Sequence, residues 1–257
     1  MILALDVGNT NICIGAMEGT RILKFARILS RRQATGTEYL LQLRSVLGKA
    51  GLKGSDFEGS IITSVVPQLT GLLADTCQEI CGKEPLLVSH EMNTGFGFAI
   101  DQPQLVGRDR LVDLAAALEL YGQPDSPVVT IDLGTATTIS VLDGQRMFRG
   151  GLIIPGVQTS LTALSSRAAQ LPPIPLDEPR QLLGETPVDC MNTGIVNGTA
   201  AMLDGLMERI SAQMDREPVC VMTGGLSKFI LPCCKHKYIY DQDLLLKGLS
   251  ILYHKNI

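Results

Sequence analysis

Two stretches of this chain share one pattern of residue types. They are Leu5-Asp6-Val7-Gly8-Asn9-Thr10-Asn11 and Ile131-Asp132-Leu133-Gly134-Thr135-Ala136-Thr137-Thr138. Gly8 and Gly134 remove the side chain that would hold an anion away from the backbone. The amides that follow, with the hydroxyls of Thr10, Thr135, Thr137 and Thr138, can donate to phosphate oxygens. A carboxylate cannot favourably touch phosphate without an intervening cation. Asp6 and Asp132 therefore read as cation holders, directly or through water. One Asp-x-Gly turn alone is also an ordinary hairpin connection, but its recurrence in matching context favours the phosphate reading.

A second constellation is Gly107-Arg108-Asp109-Arg110, the densest charged cluster beside a glycine. Asp109 can serve as a helix-capping residue with its arginines solvated. It can equally be a general base for a substrate hydroxyl. Arg110 would then hold an anionic group or the transferring phosphoryl, which suits a planar guanidinium. The two arginines favour the ionised carboxylate. Thr223-Gly224-Gly225 stands where a strand meets a helix and reads either as a tight turn or as an adenosine site on free helix amides. Asn192-Thr193 reads as an N-cap pair or as a polar substrate contact. Gly150-Gly151, before Ile153-Ile154-Pro155-Gly156, reads as a strand-to-helix passage that lets backbone approach ligand or simply packs closely.

The elements that must position these residues follow the duplication. Strands are expected at Ile2–Leu5, Ile12–Met17 and Ile22–Leu29. A helix over Thr37–Ala50, capped by Thr37, a strand at Ser60–Val66, a helix at Leu69–Cys81 and a strand at Pro85–Val88 complete a βββαβαβ half. Leu111 to Tyr121 carries a helical face, and Gly122–Ser126 is the linker candidate. The plan then repeats: strands at Val128–Ile131, Thr138–Leu142 and Met147–Ile154, a helix at Thr159–Ala169, a proline-rich surface excursion over Leu171–Pro187, and a long helix at Met191–Met214. A strand at Pro218–Met222, a helix after Gly225, a short strand near Tyr238 and a helix at Leu244–Tyr253 close the chain. The expected fold class is α/β, with two ribonuclease-H-like domains, 1–122 and 123–257, each a mixed sheet with flanking helices.

Composition bounds the partners. The chain has 257 residues, 45% of them apolar, which suffices for packed cores. A net charge of -4 and the absence of Trp argue against nucleic acid as partner. No apolar run reaches the roughly 20 residues of a membrane span. The N-terminus enters a strand directly, without the pattern of a signal peptide. The seven cysteines show no disulfide spacing. Cys77 and Cys81, at helical spacing, read as reduced core thiols, and with three histidines zinc is not expected. The expected compartment is cytoplasmic.

Together these residues resemble the type III pantothenate kinases. The resemblance rests on Asp6-x-Gly8-Asn9-Thr10, Gly107-x-Asp109-Arg110, Asp132-x-Gly134-Thr135-Ala136-Thr137-Thr138 and Thr223-Gly224-Gly225. It extends through Gly150-Gly151-x-Ile153-x-Pro155-Gly156, Arg167-Ala168-Ala169-x-Leu171-Pro172 and Leu246-Lys247-Gly248-Leu249. The Asp-x-Gly elements alone are those of the wider acetate and sugar kinase, Hsp70 and actin superfamily.

The resemblance implies ATP-dependent phosphorylation of pantothenate to 4′-phosphopantothenate, the first step of coenzyme A synthesis, with ATP in a cleft between the two domains. Asp6, Val7, Gly8, Asn9, Thr10, Asn11, Ile12 and Cys13 would form the first phosphate loop, and Thr135 would contact ATP from the second. Asp132 would bind a monovalent cation, potassium or ammonium, alongside Mg²⁺. Asp109 would be the base. Gly107, Arg108, Asp109, Arg110, Thr193 and the Ile100 position would line the pantothenate pocket, and the active form would be a homodimer. Two positions depart from the family. Ile100 stands where a tyrosine is common and cannot supply a phenolic hydrogen bond, and Arg108 stands where a small residue is common. The alternatives are another small-molecule kinase of this fold or a non-catalytic ATP-binding regulator. Intact Asp6, Asp109 and Asp132 argue against the regulator.

Overall fold

A computed structural model describes all residues, Met1–Ile257, and divides them into two units. The first comprises Met1–Leu120 with Asp243–Ile257, and the second Tyr121–Gln242.

In the first unit, β1 (Ile2–Val7), β2 (Asn11–Glu18) and β3 (Arg21–Leu29) form an antiparallel meander. Next come α1 (Gly36–Lys49), β4 (Gly59–Ser64), α2 (Pro67–Cys81), β5 (Leu86–Leu87), β6 (Gly97–Phe98) and α3 (Arg108–Tyr121). Five strands lie in the order β3-β2-β1-β4-β5, with β4 parallel to β1 and β5 parallel to β4. Helix α1 begins at Gly36, capped by Thr35 instead of Thr37. The Thr35 hydroxyl accepts from Glu38 N–H while the Glu38 carboxylate accepts from Thr35 N–H, so Thr35-x-x-Glu38 forms the reciprocal capping box that Thr37 cannot. Helix α2 ends on Gly82 in the left-handed conformation, which costs glycine little.

The second unit repeats this plan. It contains β7 (Val128–Leu133), β8 (Ala136–Leu142), β9 (Met147–Pro155), α4 (Val157–Arg167), α5 (Pro187–Met214), β10 (Val219–Thr223), α6 (Ser227–Ile230) and β11 (Ile239–Tyr240). Its strands run β9-β8-β7-β10-β11, the same order as in the first unit. The duplication reaches single residues. The pairing of β2 with β3 slips between Ala16 and Met17, and that of β8 with β9 slips between Val141 and Leu142. In each case the slip lies beside the residue facing the first residue of the leading strand, Ile2 or Val128. In the second unit Gly150, at φ +118, absorbs the irregularity. Gly150-Gly151 is therefore internal to β9 and is not a strand-to-helix passage; the close approach falls to Gly156 below.

Alternation along β1 sends its residues to two faces. Leu3, Leu5 and Val7 pack with Tyr39, Leu43 and Leu47 of α1 and with Leu69 and Leu73 of α2. Ile2 and Ala4 pack with Val112 and Ala115 of α3 and with Leu246, Leu249 and Leu252 of the last helix, α7 (Leu244–Lys255). That packing explains why the tail groups with the first unit, where a single cut after residue 122 would assign it to the second. The apolar stripe of α7 completes a sheet face built from β1, β2 and β4. In the second unit, Val129, Ile131 and Leu133 pack against Val196, Ala200, Leu203 and Met207 of α5. No helix is long and apolar enough to cross a membrane.

Gly248 shows how closely α7 is seated. A Cβ there would lie 2.4 Å from the Val112 carbonyl oxygen and 2.7 Å from its Cγ1. Gly248→Ala should therefore destabilise the protein by about 1–3 kcal/mol through overpacking. Urea unfolding of variant and parent checks this, and equal midpoints would contradict the seating of α7.

Candidate active site

The turn expected to form the first phosphate loop lies between β1 and β2. Val7 pairs with Ile12, leaving Gly8, Asn9, Thr10 and Asn11 as the turn, and Gly8 N–H donates to Asn11 O at 3.0 Å. A Cβ on Gly8 would stand 3.2 Å from that oxygen. Ser30 fixes the turn from behind. Its hydroxyl donates to Gly8 O at 2.6 Å and its amide to Thr10 O at 3.0 Å. With these carbonyls engaged by Ser30, the amide edge of the turn is left to meet an anion. Asn9 and Thr10 are exposed, and Asn9 Oδ1 accepts from Arg32 Nη2 at 3.3 Å.

The second loop is one residue shorter. Leu133 pairs with Thr137, and Gly134 N–H donates to Ala136 O at 3.2 Å. Here too a hydroxyl holds the turn from behind: Thr159 Oγ1 donates to Thr135 O at 2.8 Å. Gly156, which opens α4, lies directly against this turn. A Cβ there would come 2.3 Å from Thr135 O and 2.5 Å from Gly134 O. The hydroxyls divide between the faces. Thr135 is exposed and Thr138 pairs with Asp132. Thr137 pairs with Leu133 on the α5 side, where its hydroxyl is buried without a hydrogen-bond partner, so it does not join the others at the turn.

Asp6 and Asp132 occupy matching stations two residues before the loop glycines. Asp132 is bracketed by glycines. A Cβ at Gly224 would meet its Oδ1 at 2.5 Å, and one at Gly134 would meet its Oδ2 at 3.3 Å. Gly224, at φ +94, thus makes room for the Asp132 carboxylate and the Leu133 backbone, while Gly225 has open space around it. The helix after Thr223-Gly224-Gly225 has only four residues, so it offers no sustained dipole for an adenosine. Beside Asp6, burial and the carboxylate itself push the Cys13 thiol above its usual range, with Arg27 opposing.

The Gly107–Arg110 cluster opens α3. The first helical bond runs from Leu111 N–H to Gly107 O, which places Asp109 inside the first turn instead of at the cap. Its carboxylate folds back over Gly107. A Cβ at Gly107 would lie 2.7 Å from Asp109 Oδ1, and that oxygen accepts from Arg110 N–H at 2.9 Å. The amide dipoles of the first turn favour a negative charge here. Arg110 is half-buried; burial pulls it below the ordinary arginine range, against the pull of Asp109. Arg108 is exposed and Ile100 half-buried. Through Val112 and Ala115, α3 packs on the sheet face to which Asp6 belongs.

Asn192-Thr193 is not an N-cap pair. Helix α5 begins at Pro187, with Thr186 and Asp189 forming the capping box, so Thr193 lies in its second turn. Its hydroxyl bonds the carbonyls of Gln181 and Leu182 at 2.7 and 3.0 Å, while Asn192 Oδ1 accepts from Asp177 N–H at 3.1 Å. The pair pins the proline-rich excursion, and a substrate contact by Thr193 requires exchanging those bonds. Ser30 and Thr159 have no motif signal of their own. Each is a hydroxyl residue that follows the third strand of its meander, two strands along the chain from the loop that it fixes.

Residues 2–209 match the family model described as type III pantothenate kinase. A type III pantothenate kinase of Halalkalibacterium halodurans is 37% identical over 257 residues, covering 100% of both chains. Among solved structures, component A of (R)-2-hydroxyglutaryl-CoA dehydratase from Acidaminococcus fermentans aligns at TM-score 0.56 and 13% identity, over 98% of this chain and 96% of its own. A ROK hexokinase from Thermus thermophilus aligns at 0.51 and 15%, over 98% and 97%. At such identity these two speak for the fold alone.

Because Gly156 abuts the Thr135 turn, Gly156→Ala should raise the KM of the phosphate donor at least about fivefold, a loss of roughly 1 kcal/mol in the range expected of overpacking. Steady-state kinetics with either substrate varied checks this, and an unchanged donor KM would show that the turn tolerates the displacement.

Proposed function

The chain belongs to the type III pantothenate kinase family, and on that premise we propose how its residues share the work. The enzyme phosphorylates pantothenate with ATP, giving 4′-phosphopantothenate in the first step of coenzyme A synthesis. It uses ATP together with a divalent metal.

In this reading Asp109 accepts the proton of the pantothenate hydroxyl as that oxygen attacks the γ-phosphorus and ADP leaves. The observation that carries it is the Asp109 carboxylate folded over Gly107 in the first turn of α3, beside Arg110. Arg110 neutralises charge on the transferring phosphoryl or on the pantothenate carboxylate. Gly107 gives the carboxylate its space, and Arg108 and Ile100 flank the substrate. Residues Asp6 to Cys13 and Thr135 hold the phosphate chain, so catalysis is mostly positioning and charge neutralisation.

The donor set suits cations that arrive with, or beside, the nucleotide. No three His, Cys, Asp or Glu side chains converge into a cage, and Mg²⁺ commonly binds through one or two carboxylates plus phosphates and water. Asp6 serves that ion. Asp132 serves a monovalent cation, potassium or ammonium; the space kept by Gly134 and Gly224 around its oxygens supports this assignment. A cytoplasmic setting accords with the seven free thiols.

The active form is a homodimer, and α5 is the proposed surface. Gly194, Gly198 and Ala201 are exposed along it, and a Cβ at Gly194 or Gly198 would meet nothing within 4 Å. Such a ridge of small residues admits a second helix closely.

Three experiments test these assignments. Asp109→Asn should lower kcat by about 10²–10⁴-fold, the usual contribution of a general base, with ATP binding retained by calorimetry. In the parent enzyme, pantothenate-dependent ADP release should require potassium over sodium. Full activity of Asp109→Asn would exclude it as the base, and indifference to potassium would remove the cation from Asp132. Light scattering on a sizing column should give twice the chain mass, with Gly198→Leu shifting toward monomer. A monomeric parent would dispose of the α5 interface.

A further inference from the structure

Asp6 belongs to a row of side chains that crosses four strands. Arg27 of β3 pairs with Cys13 of β2, Cys13 with Asp6 of β1, and Asp6 with Thr63 of β4. Paired residues point to one face of a sheet, so the four side chains stand in line on the face that carries α3 and α7. Thr63 ends the row. It is 1% exposed, and its Oγ1 has no hydrogen-bond partner. A buried hydroxyl without a partner destabilises a protein, whereas valine has nearly the same shape and suits a strand better. A hydroxyl in this position therefore points to a partner gained in the working state. The second unit has the same pairing: Asp132 faces Thr223, also buried, on the corresponding strand.

We propose that Thr63 is a positioning residue for Asp6. When magnesium nucleotide enters the first loop, the Thr63 hydroxyl donates to the Asp6 carboxylate or to the water that Asp6 holds on the ion. The carboxylate is thereby fixed in the orientation that receives the cation. Thr63 does not touch pantothenate, so its effect is confined to the nucleotide. This inference rests on the reading of Asp6 as holder of the nucleotide-borne ion.

The test compares Thr63→Val and Thr63→Ser with the parent chain. Two readouts are ligand-free thermal unfolding and calorimetric binding of the magnesium salt of a non-hydrolysable ATP analogue. The third is the pantothenate KM. Thr63→Val should unfold at the parent temperature or above it, since it removes an unpartnered hydroxyl, yet bind the magnesium nucleotide about tenfold more weakly. Thr63→Ser should restore binding to within about twofold, and the pantothenate KM should not move. A valine variant that loses thermal stability but binds nucleotide normally would make Thr63 a packing residue and overturn the proposal. Unchanged binding, or a serine variant as weak as valine, would overturn it too. A parent that binds magnesium nucleotide without turning over pantothenate would defeat the kinase reading and leave the Thr63 result to be judged on binding.

Discussion

Backbone amides can grip a phosphate only where no side chain stands in the way, and if the two Asp-x-Gly turns are the phosphate loops proposed above, that requirement propagates outward from them. Gly8 and Gly134 satisfy it within the turns themselves. Behind them, Ser30 and Thr159 engage loop carbonyls, and Gly156 lies so near the Thr135 turn that a single methyl would displace it. Beside the second turn, Gly224 yields its Cβ position to the Asp132 carboxylate. Each small or hydroxyl residue in this set lets polar backbone and carboxylate oxygens approach without steric or hydrogen-bonding conflict.

The two units meet this requirement with one sheet order, one register around the aspartate and one displaced irregularity in the second hairpin. They diverge where their tasks differ. The first unit carries α3, whose opening turn presents Asp109 and Arg110. The second carries the 28-residue α5 and the proline-rich excursion that Asn192 and Thr193 hold in place. The proposed phosphate turn is thus duplicated, while the proposed base exists once.

The last helix ties chemistry to stability. Helix α7 covers the sheet face on which α3 rests, and Gly248 lets its backbone approach Val112 within the same helix that presents Asp109. Looser seating of α7 would loosen α3 and with it the carboxylate. Residues remote in sequence, near 4, 112 and 249, therefore form one support under the proposed base.

Local chemistry determined much of this protein from sequence alone. Apolar strand-type runs interrupted by Asp-x-Gly gave both meanders, and helical spacing gave α1, α2, α3, α5 and α7 to within a few residues, because these signals act between near neighbours. The family followed from the order of the motifs. Tertiary structure decided what depends on residues far apart in the chain. It assigned α7 to the first unit, because an amphipathic helix does not state which sheet it will cover. It moved Asn192 and Thr193 from a cap to a pin, because Thr186 and Asp189 start the helix earlier. It also showed that Gly224 makes room for a carboxylate, and it set Thr63 beside Asp6. A lone threonine in an apolar strand gives no sign of its neighbour, since strand register is fixed only when the sheet assembles.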